Sequence, residues 1–212
     1  MPDNTKIKNI VFDVGRVLVD FYPERYLRSL GLDKETADRL MTTVFGVDWS
    51  MFDRGDYYSL DELRKTLIRK HPEDEAVLRR VLTADVLKIH TLMPESANYL
   101  LELKARGYKV YLLSNIARDS YHFVKEYPFF NKIDGGVFSY RERVCKPDEG
   151  IYRVLLGRYG LDPAETLFFD DNPKNVDAAQ KLGIRSILFT DITDSKRQAE
   201  MLLADSDNDK GE

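Results

Sequence analysis

The apolar positions of this chain fall into short continuous runs that end on polar residues. Ile10-Val11-Phe12 leads into Asp13, then Gly15, then Val17-Leu18-Val19. A β-branched run closed by Asp and Gly predicts a buried strand that ends in a turn. The same signature recurs at residues 108–113 before Ser114-Asn115, at 166–169 before Asp170-Asp171-Asn172-Pro173, and at 184–189 before Thr190-Asp191. Residues 136–139 make a shorter fifth candidate. Helical periodicity fills the intervals at 96–106, 148–160 and 175–182, with Gly107 and Gly183 as stops. Strands alternating with helices predict an α/β fold, a Rossmann-like parallel sheet flanked by helices on both faces.

The pattern changes between residues 21 and 93, where Ala, Leu, Arg and Glu dominate and no comparable strand run occurs. Helical spacing is clearest at 35–44, 60–69 and 75–89, and Ser59 with Glu62 three residues on makes a capping box. The expected organisation is an α/β core from residues 1–20 and 94–204, an inserted all-helical domain at 21–93, and a flexible acidic tail at 205–212. A chain of 212 residues with 43% apolar and 32% charged side chains can bury such a core without staples. Its net charge of −4 carries no footprint for nucleic acid or an anionic membrane surface. Cys145 is the only cysteine, so no internal disulfide forms, which fits a reducing compartment. No apolar run reaches the roughly 18 residues a membrane span needs. Met1-Pro2-Asp3-Asn4-Thr5-Lys6 lacks the apolar segment of a secretory signal. The expectation is a soluble, cytoplasmic protein.

In parallel sheets the ligand site gathers at the carboxyl ends of the strands. Here those ends carry Asp13, Ser114-Asn115 and Asp170-Asp171, all polar. Carboxylates brought together raise one another's pKa unless a cation neutralises them, and a hard, oxygen-seeking ion such as Mg2+ does so. The plainer alternative is that Asp170 or Asp171 caps the helix that follows. Ser114-Asn115 could open a helix whose free N–H groups suit phosphate, or serve as an ordinary N-cap. Lys146 precedes Pro147 just ahead of a helix. Its ammonium could balance both phosphate and a carboxylate nucleophile, although a lysine taken alone is more often a surface residue. His71, His90 and His122 show no metal-ligand spacing. Residues 49–58, Trp-Ser-Met-Phe-Asp-Arg-Gly-Asp-Tyr-Tyr, are rich in rings and charge for a helix connection. Arg54 there could grip a substrate's polar groups with the rings stacked on a sugar. Otherwise Trp49 and Phe52 are core and Arg54 pairs with a neighbouring Asp.

Phe12-Asp13-Val14-Gly15-Arg16-Val17-Leu18, Leu113-Ser114-Asn115, Lys146-Pro147 and Phe169-Asp170-Asp171-Asn172 resemble the four motifs of the haloacid dehalogenase (HAD) superfamily, in the right order. The resemblance runs from about Lys8 to Phe189, and the helical insertion sits where that family's cap domain does. The subgroup most similar in look holds bacterial glucose-1-phosphate phosphatases and the N-terminal phosphatase domain of epoxide hydrolases. The resemblance implies a Mg2+-dependent phosphatase of small phosphorylated metabolites, such as a sugar 1-phosphate. Asp13 would attack phosphorus and form an aspartyl-phosphate, which water hydrolyses. Magnesium would be held by Asp13, the Gly15 carbonyl and Asp171, with Asp170 supporting it directly or through water. Ser114, the Asn115 backbone and Lys146 would hold the phosphoryl group and balance its charge. Gly15, Arg16 and Arg54 complete the expected substrate contacts.

One position departs from the superfamily's phosphatases. Most have a second aspartate two residues after the nucleophile to protonate the leaving oxygen, and here that residue is Gly15. Losing a general acid would slow departure of an ordinary alkoxide by roughly 10²–10⁴-fold. A better leaving group, water or another side chain such as Arg16 or a cap residue could compensate. Alternatively the chain is a weak or inactive enzyme retained as a phosphate- or protein-binding module. A 2-haloacid dehalogenase also lacks the second aspartate, but Asp170-Asp171 would repel its carboxylate substrate. The expected partner is a small phosphorylated metabolite, with no nucleic acid and no membrane. Monomer and homodimer both stay open.

Overall fold

All five apolar runs pair as strands in the computed structural model, which describes residues 5–207. The strands are β1 (Asn9–Phe12), β2 (Val19–Phe21), β3 (His90–Leu92), β4 (Lys109–Ser114), β5 (Gly135–Phe138), β6 (Thr166–Asp170) and β7 (Arg185–Leu188). Five form one parallel sheet in the order β5-β4-β1-β6-β7. Every residue of β1 and of β6 is buried, because helices cover both faces and leave no side that tolerates polar residues. Tyr99, Leu100 and Leu103 of the helix Pro94–Ala105 pack on one face. Ile151, Tyr152 and Leu155 of the helix Glu149–Tyr159 pack on the other. Each such buried side chain contributes about 1.5–3 kcal/mol.

The chain leaves β1 for β4 on one side and returns to β6 on the other, so a crevice opens at the carboxyl end of β1. Register then decides what lines it. Phe12 lies opposite Phe169, their rings stacked with centroids 4.7 Å apart, and this pair sets Asp13 beside Asp170. Phe12 also lies opposite Leu112, which brings Leu113 and Ser114 to the same edge.

Between β2 and β3 five α-helices, Pro23–Ser29, Lys34–Thr43, Val47–Arg54, Leu60–Lys70 and Glu75–Val81, surround their own buried cluster. Leu27, Leu40, Trp49, Phe52, Leu63 and Leu78 are its centre. Ser59 accepts from the Glu62 N–H, and the Glu62 carboxylate reaches back one residue further than in an ideal box, to the Tyr58 N–H.

Three expectations need correction. β2 and β3 pair antiparallel where the insertion leaves and rejoins the core, and neither was expected as a strand. Three residues are too few to show a period, and their pairing follows from the two ends of the insertion meeting. The single helix expected at 75–89 breaks after Val81 into a 3-10 helix, Ala84–Ile89. The Thr83 hydroxyl accepts from the Asp85 N–H (3.3 Å) and restarts the chain there, as a hydroxyl that competes for backbone groups can. The last helix, Ile192–Asp207, runs past residue 204, where a flexible tail was expected to begin. The remainder of that tail, 208–212, lies outside the described residues. No helix among the described residues is long and apolar enough to cross a membrane.

The helix Val47–Arg54 ends on Gly55, whose φ of +87° is left-handed. A β-carbon there would lie 2.6 Å from the Tyr140 carbonyl oxygen, so glycine is required for both conformation and space. Gly55→Ala is expected to cost about 1–3 kcal/mol, measured as a drop in urea midpoint. An unchanged midpoint would mean that this contact between insertion and core yields freely.

Candidate active site

A cleft of about 230 Å³ opens at the carboxyl ends of β1, β4 and β6. Asp13, Gly15, Ser114, Asn115, Lys146 and Asp171 line its sheet side, and Phe21, Trp49, Asp53 and His90 line the side formed by the insertion. Asp13 extends β1 by donating its N–H to the Phe169 carbonyl (2.9 Å), which fixes the carboxyl at the strand's end. One of its oxygens accepts from the Val14 N–H (2.6 Å).

Lys146 is buried beneath this carboxyl. Its Nζ contacts Asp13 Oδ1 (2.9 Å) and Asp170 Oδ2 (2.6 Å) and donates to the Leu113 carbonyl (2.7 Å), so all three ammonium protons are directed. Burial works against the charge, but Asp13 and Asp170 more than offset it and hold the lysine above its usual pKa. The Asn115 side chain clamps the Lys146 backbone at both ends, accepting from its N–H (2.8 Å) and donating to its carbonyl (2.9 Å). Asn115 therefore fixes the lysine loop with its side chain. The helix expected to open directly at Ser114-Asn115 instead begins at Arg118, and the Ile116 N–H is taken by the Ser139 hydroxyl (2.8 Å).

Asp170 is fully buried, and its described bonds anchor its surroundings. Besides Lys146 it accepts from the Asn172 N–H (2.8 Å) and from Asn175 Nδ2 (2.9 Å). Asp171 faces the cleft, with Arg16 Nη1 at 3.9 Å. Arg16 has φ +58°, a strained left-handed conformation for a residue other than glycine, which its N–H bond to the Val19 carbonyl (2.7 Å) helps to hold. The helix-cap role considered for the Asp pair falls to Asn172, whose side chain accepts from the Lys174 N–H.

Asp13, Asp170 and Asp171 each place a carboxylate oxygen within 4.8 Å of the others. Burial, then the charges of Asp170 and Asp171, push the Asp13 carboxyl up to about 7 despite Lys146. Burial and Asp170 likewise raise Asp171, against Arg16 and Lys146. Three carboxylates around one ammonium are short of positive charge. The donors are hard oxygens, and the buried Asn175 Oδ1, without a hydrogen-bond partner among the described residues, adds another beside them. That donor set fits Mg2+. Lys146→Met should destabilise the chain by about 3–5 kcal/mol at pH 8, because it strands two buried carboxylates. At pH 5, where Asp13 is protonated, the loss should shrink. Urea unfolding at both pH values checks this, and equal losses would contradict it.

Arg54 is an expected site residue that the structure keeps out of the cleft. It is exposed and donates to Asp56 (Nε at 2.9 Å), with Arg143 on that carboxylate's other oxygen at 3.8 Å. Helical geometry explains the difference. Trp49, Phe52 and Asp53 stand at i, i+3 and i+4 on one face of Val47–Arg54, and Arg54 at i+5 turns away. Had residues 47–54 been read as a helix, the same spacing would have selected Asp53. His90 left no such signal. It enters because β3 pairs with β2, where its ring lies 5.3 Å from that of Phe21.

Known proteins resemble this chain to different degrees. The chain is 30% identical over 195 residues to the sesquiterpene phosphatase astK of Aspergillus oryzae, covering 88% of this chain and 92% of that protein. It is 29% identical over 216 residues to the D-ribitol-5-phosphate phosphatase of Bacteroides thetaiotaomicron, covering 93% and 98% respectively. Among solved structures, a HAD family enzyme from B. thetaiotaomicron in complex with magnesium and inorganic phosphate has the same fold. It matches with a TM-score of 0.65 at 22% identity, over 85% of this chain and 93% of that one. The family model for haloacid dehalogenase-like hydrolases matches residues 7–183, and the chain belongs to that family.

Proposed function

We propose that this hydrolase is a Mg2+-dependent phosphatase of small phosphorylated metabolites, sugar phosphates such as a sugar 1-phosphate among them. The observation that carries the reading is the Lys146 ammonium buried between Asp13 and Asp170 with a third carboxylate, Asp171, facing the same cleft. A carboxylate nucleophile must meet an anionic ester here, which demands cations on both. Asp13 is the nucleophile, attacking phosphorus to form an aspartyl-phosphate that water hydrolyses. Lys146 orients Asp13 and offsets charge, and Ser114 with the Asn115 N–H receives phosphoryl oxygens. Asp13, Asp171 and the Gly15 carbonyl would hold the metal, which when bound screens the negative charge of ester and nucleophile. Asp170 acts from beneath by holding Lys146 and Asn175.

Relatives named as phosphatases support this reading, as does the neighbour solved with magnesium and inorganic phosphate. The helical insertion acts as a cap. Its rings at Phe21 and Trp49, and a volume of about 230 Å³, favour a compact substrate over one that fills the roughly 300–1,000 Å³ of a drug-sized pocket. A second reading, a binding module without turnover, draws on Gly15 alone. Phosphate release across a panel of phosphorylated metabolites, with Mg2+ and with EDTA, separates the two. Metal-dependent turnover of a few members supports the phosphatase. Retained phosphate binding with no turnover of any member refutes it. Halide release from a 2-haloacid in EDTA would indicate carbon as the electrophile.

A further inference from the structure

Departure of an alkoxide from phosphorus needs a proton, and the loop after Asp13 cannot supply one. Val14, Gly15, Val17 and Leu18 carry no acid, and the Arg16 guanidinium keeps its proton throughout the accessible pH range. At Gly15 no atom lies within 4 Å of where a side chain would begin, so the space beside the nucleophile is open.

We propose that Asp53, carried into the cleft by the helical insertion, is the acid–base catalyst of this site. The assignment rests on the phosphatase reading and supplies its missing proton donor. It follows first from elimination among the titratable groups that line the cleft. Asp13 is committed to phosphorus. Asp171 lies beside Arg16 on the metal side. Lys146 has every proton engaged. His90 is buried and held down to about 4, so at neutral pH it is an uncharged ring with no proton to spare as an acid. Asp53 remains.

Its setting suits the role. Asp53 lines the insertion side of the cleft, facing the sheet edge that bears the nucleophile. Its backbone carbonyl accepts from the Ser139 hydroxyl (2.5 Å), and the same hydroxyl accepts from the Ile116 N–H, two residues past Ser114. One buried hydroxyl thus ties the acid to the loop expected to hold phosphate. Gly55, pressed on the Tyr140 carbonyl, fixes the helix end from the other side. The groups that act on the Asp53 carboxyl are few. Burial comes first and the Asp13 charge adds to it, while the Ala117 N–H opposes both. Cys145 is the nearby thiol, and Arg54 is turned to Asp56. The balance holds Asp53 well above the usual carboxylate range, the direction that keeps a proton available to a leaving oxygen.

The atoms balance. An Asp13 oxygen bonds to phosphorus as the bond from phosphorus to the ester oxygen breaks, and the Asp53 proton passes to that oxygen. The Asp53 carboxylate then takes a proton from water. The hydroxide so formed attacks phosphorus, which leaves Asp13 free, inorganic phosphate released and Asp53 protonated again.

The test compares wild type with Asp53→Asn, with Mg2+, on an alkyl phosphate and on p-nitrophenyl phosphate, whose leaving group needs no proton. The variant should lose about 10²–10⁴-fold on the alkyl ester. On the aryl ester its first turnover should keep its rate, seen as a burst of one nitrophenolate per chain, followed by a slow steady state because deacylation lacks its base. The burst also reports a folded site. If melting shows that Asn unfolds the insertion, Asp53→Ser is read in the same way. Equal losses in the first turnover of both esters, or no loss on either, would overturn the assignment of Asp53 and leave the phosphatase standing. A wild-type chain that releases phosphate from neither ester nor from any member of the metabolite panel removes the phosphatase reading and the need for an acid with it.

Discussion

Replacing Asp13 by Asn is expected to lower turnover by a factor on the order of 10⁴–10⁶, the usual consequence of deleting a nucleophile, while the chain stays folded. An amide nitrogen or oxygen is too weak a nucleophile to displace an ester oxygen from phosphorus. The neighbouring geometry should survive, since Lys146 keeps Asp170 (2.6 Å) and the Leu113 carbonyl (2.7 Å). The substitution also removes one of three crowded carboxylates, so the metal-free variant should melt no lower than wild type at pH 8. Phosphate release and a melting curve on the same preparation check both halves. Activity within a hundredfold of wild type would mean that some other group attacks phosphorus.

Chelation is the second large effect, and its pH dependence has a definite sign. With EDTA, turnover should disappear, because Lys146 alone cannot offset three carboxylates and an arriving phosphate. Asp13 is pushed up to about 7, chiefly by burial. A metal must displace that proton, so Mg2+ affinity should rise with pH, by up to tenfold per unit below about 7, and flatten above it. The metal-free protein should behave inversely. A carboxyl raised in the folded state contributes stability that is full below its unfolded value near 3.8 and is lost as pH rises through about 7. Metal-free stability should therefore fall by a few kcal/mol across that window, and added Mg2+ should raise the melting temperature more at pH 8 than at pH 6. Full turnover in EDTA, or a Mg2+ shift that is larger at pH 6, would contradict the proposed ligand set.

The Asp53 assignment gives the insertion a chemical role beside its steric one. An acid mounted on the insertion reaches the cleft only when the contacts around Gly55 and Ser139 are made. Gly55→Ala should therefore resemble Asp53→Asn in its preference for aryl over alkyl esters, in addition to its cost in stability.

The apolar runs that became β1, β4, β6 and β7 were legible because strands buried on both faces must be apolar at successive positions. Their polar ends were legible because the chain has to turn there. Asp13, Ser114 and Asp171 could be nominated on the same local grounds, whereas Lys146, which taken alone reads as a surface lysine, was singled out by the motif resemblance. Other features could not be read from neighbours in sequence. β2 and β3 are too short to carry a period, and the choice of Asp53 over Arg54 needed the helix Val47–Arg54, which no strong apolar stripe announced. That Asn115 clamps Lys146, that Asp170 is sealed beneath the cleft, and that His90 enters it at all depend on which segments lie side by side. By itself the sequence determined the alternation of elements and the polar residues at their ends, because period, caps and turns are encoded within a few residues. The tertiary structure alone decided which of those side chains face one another, because strand register and helix rotation are set by packing between segments distant along the chain.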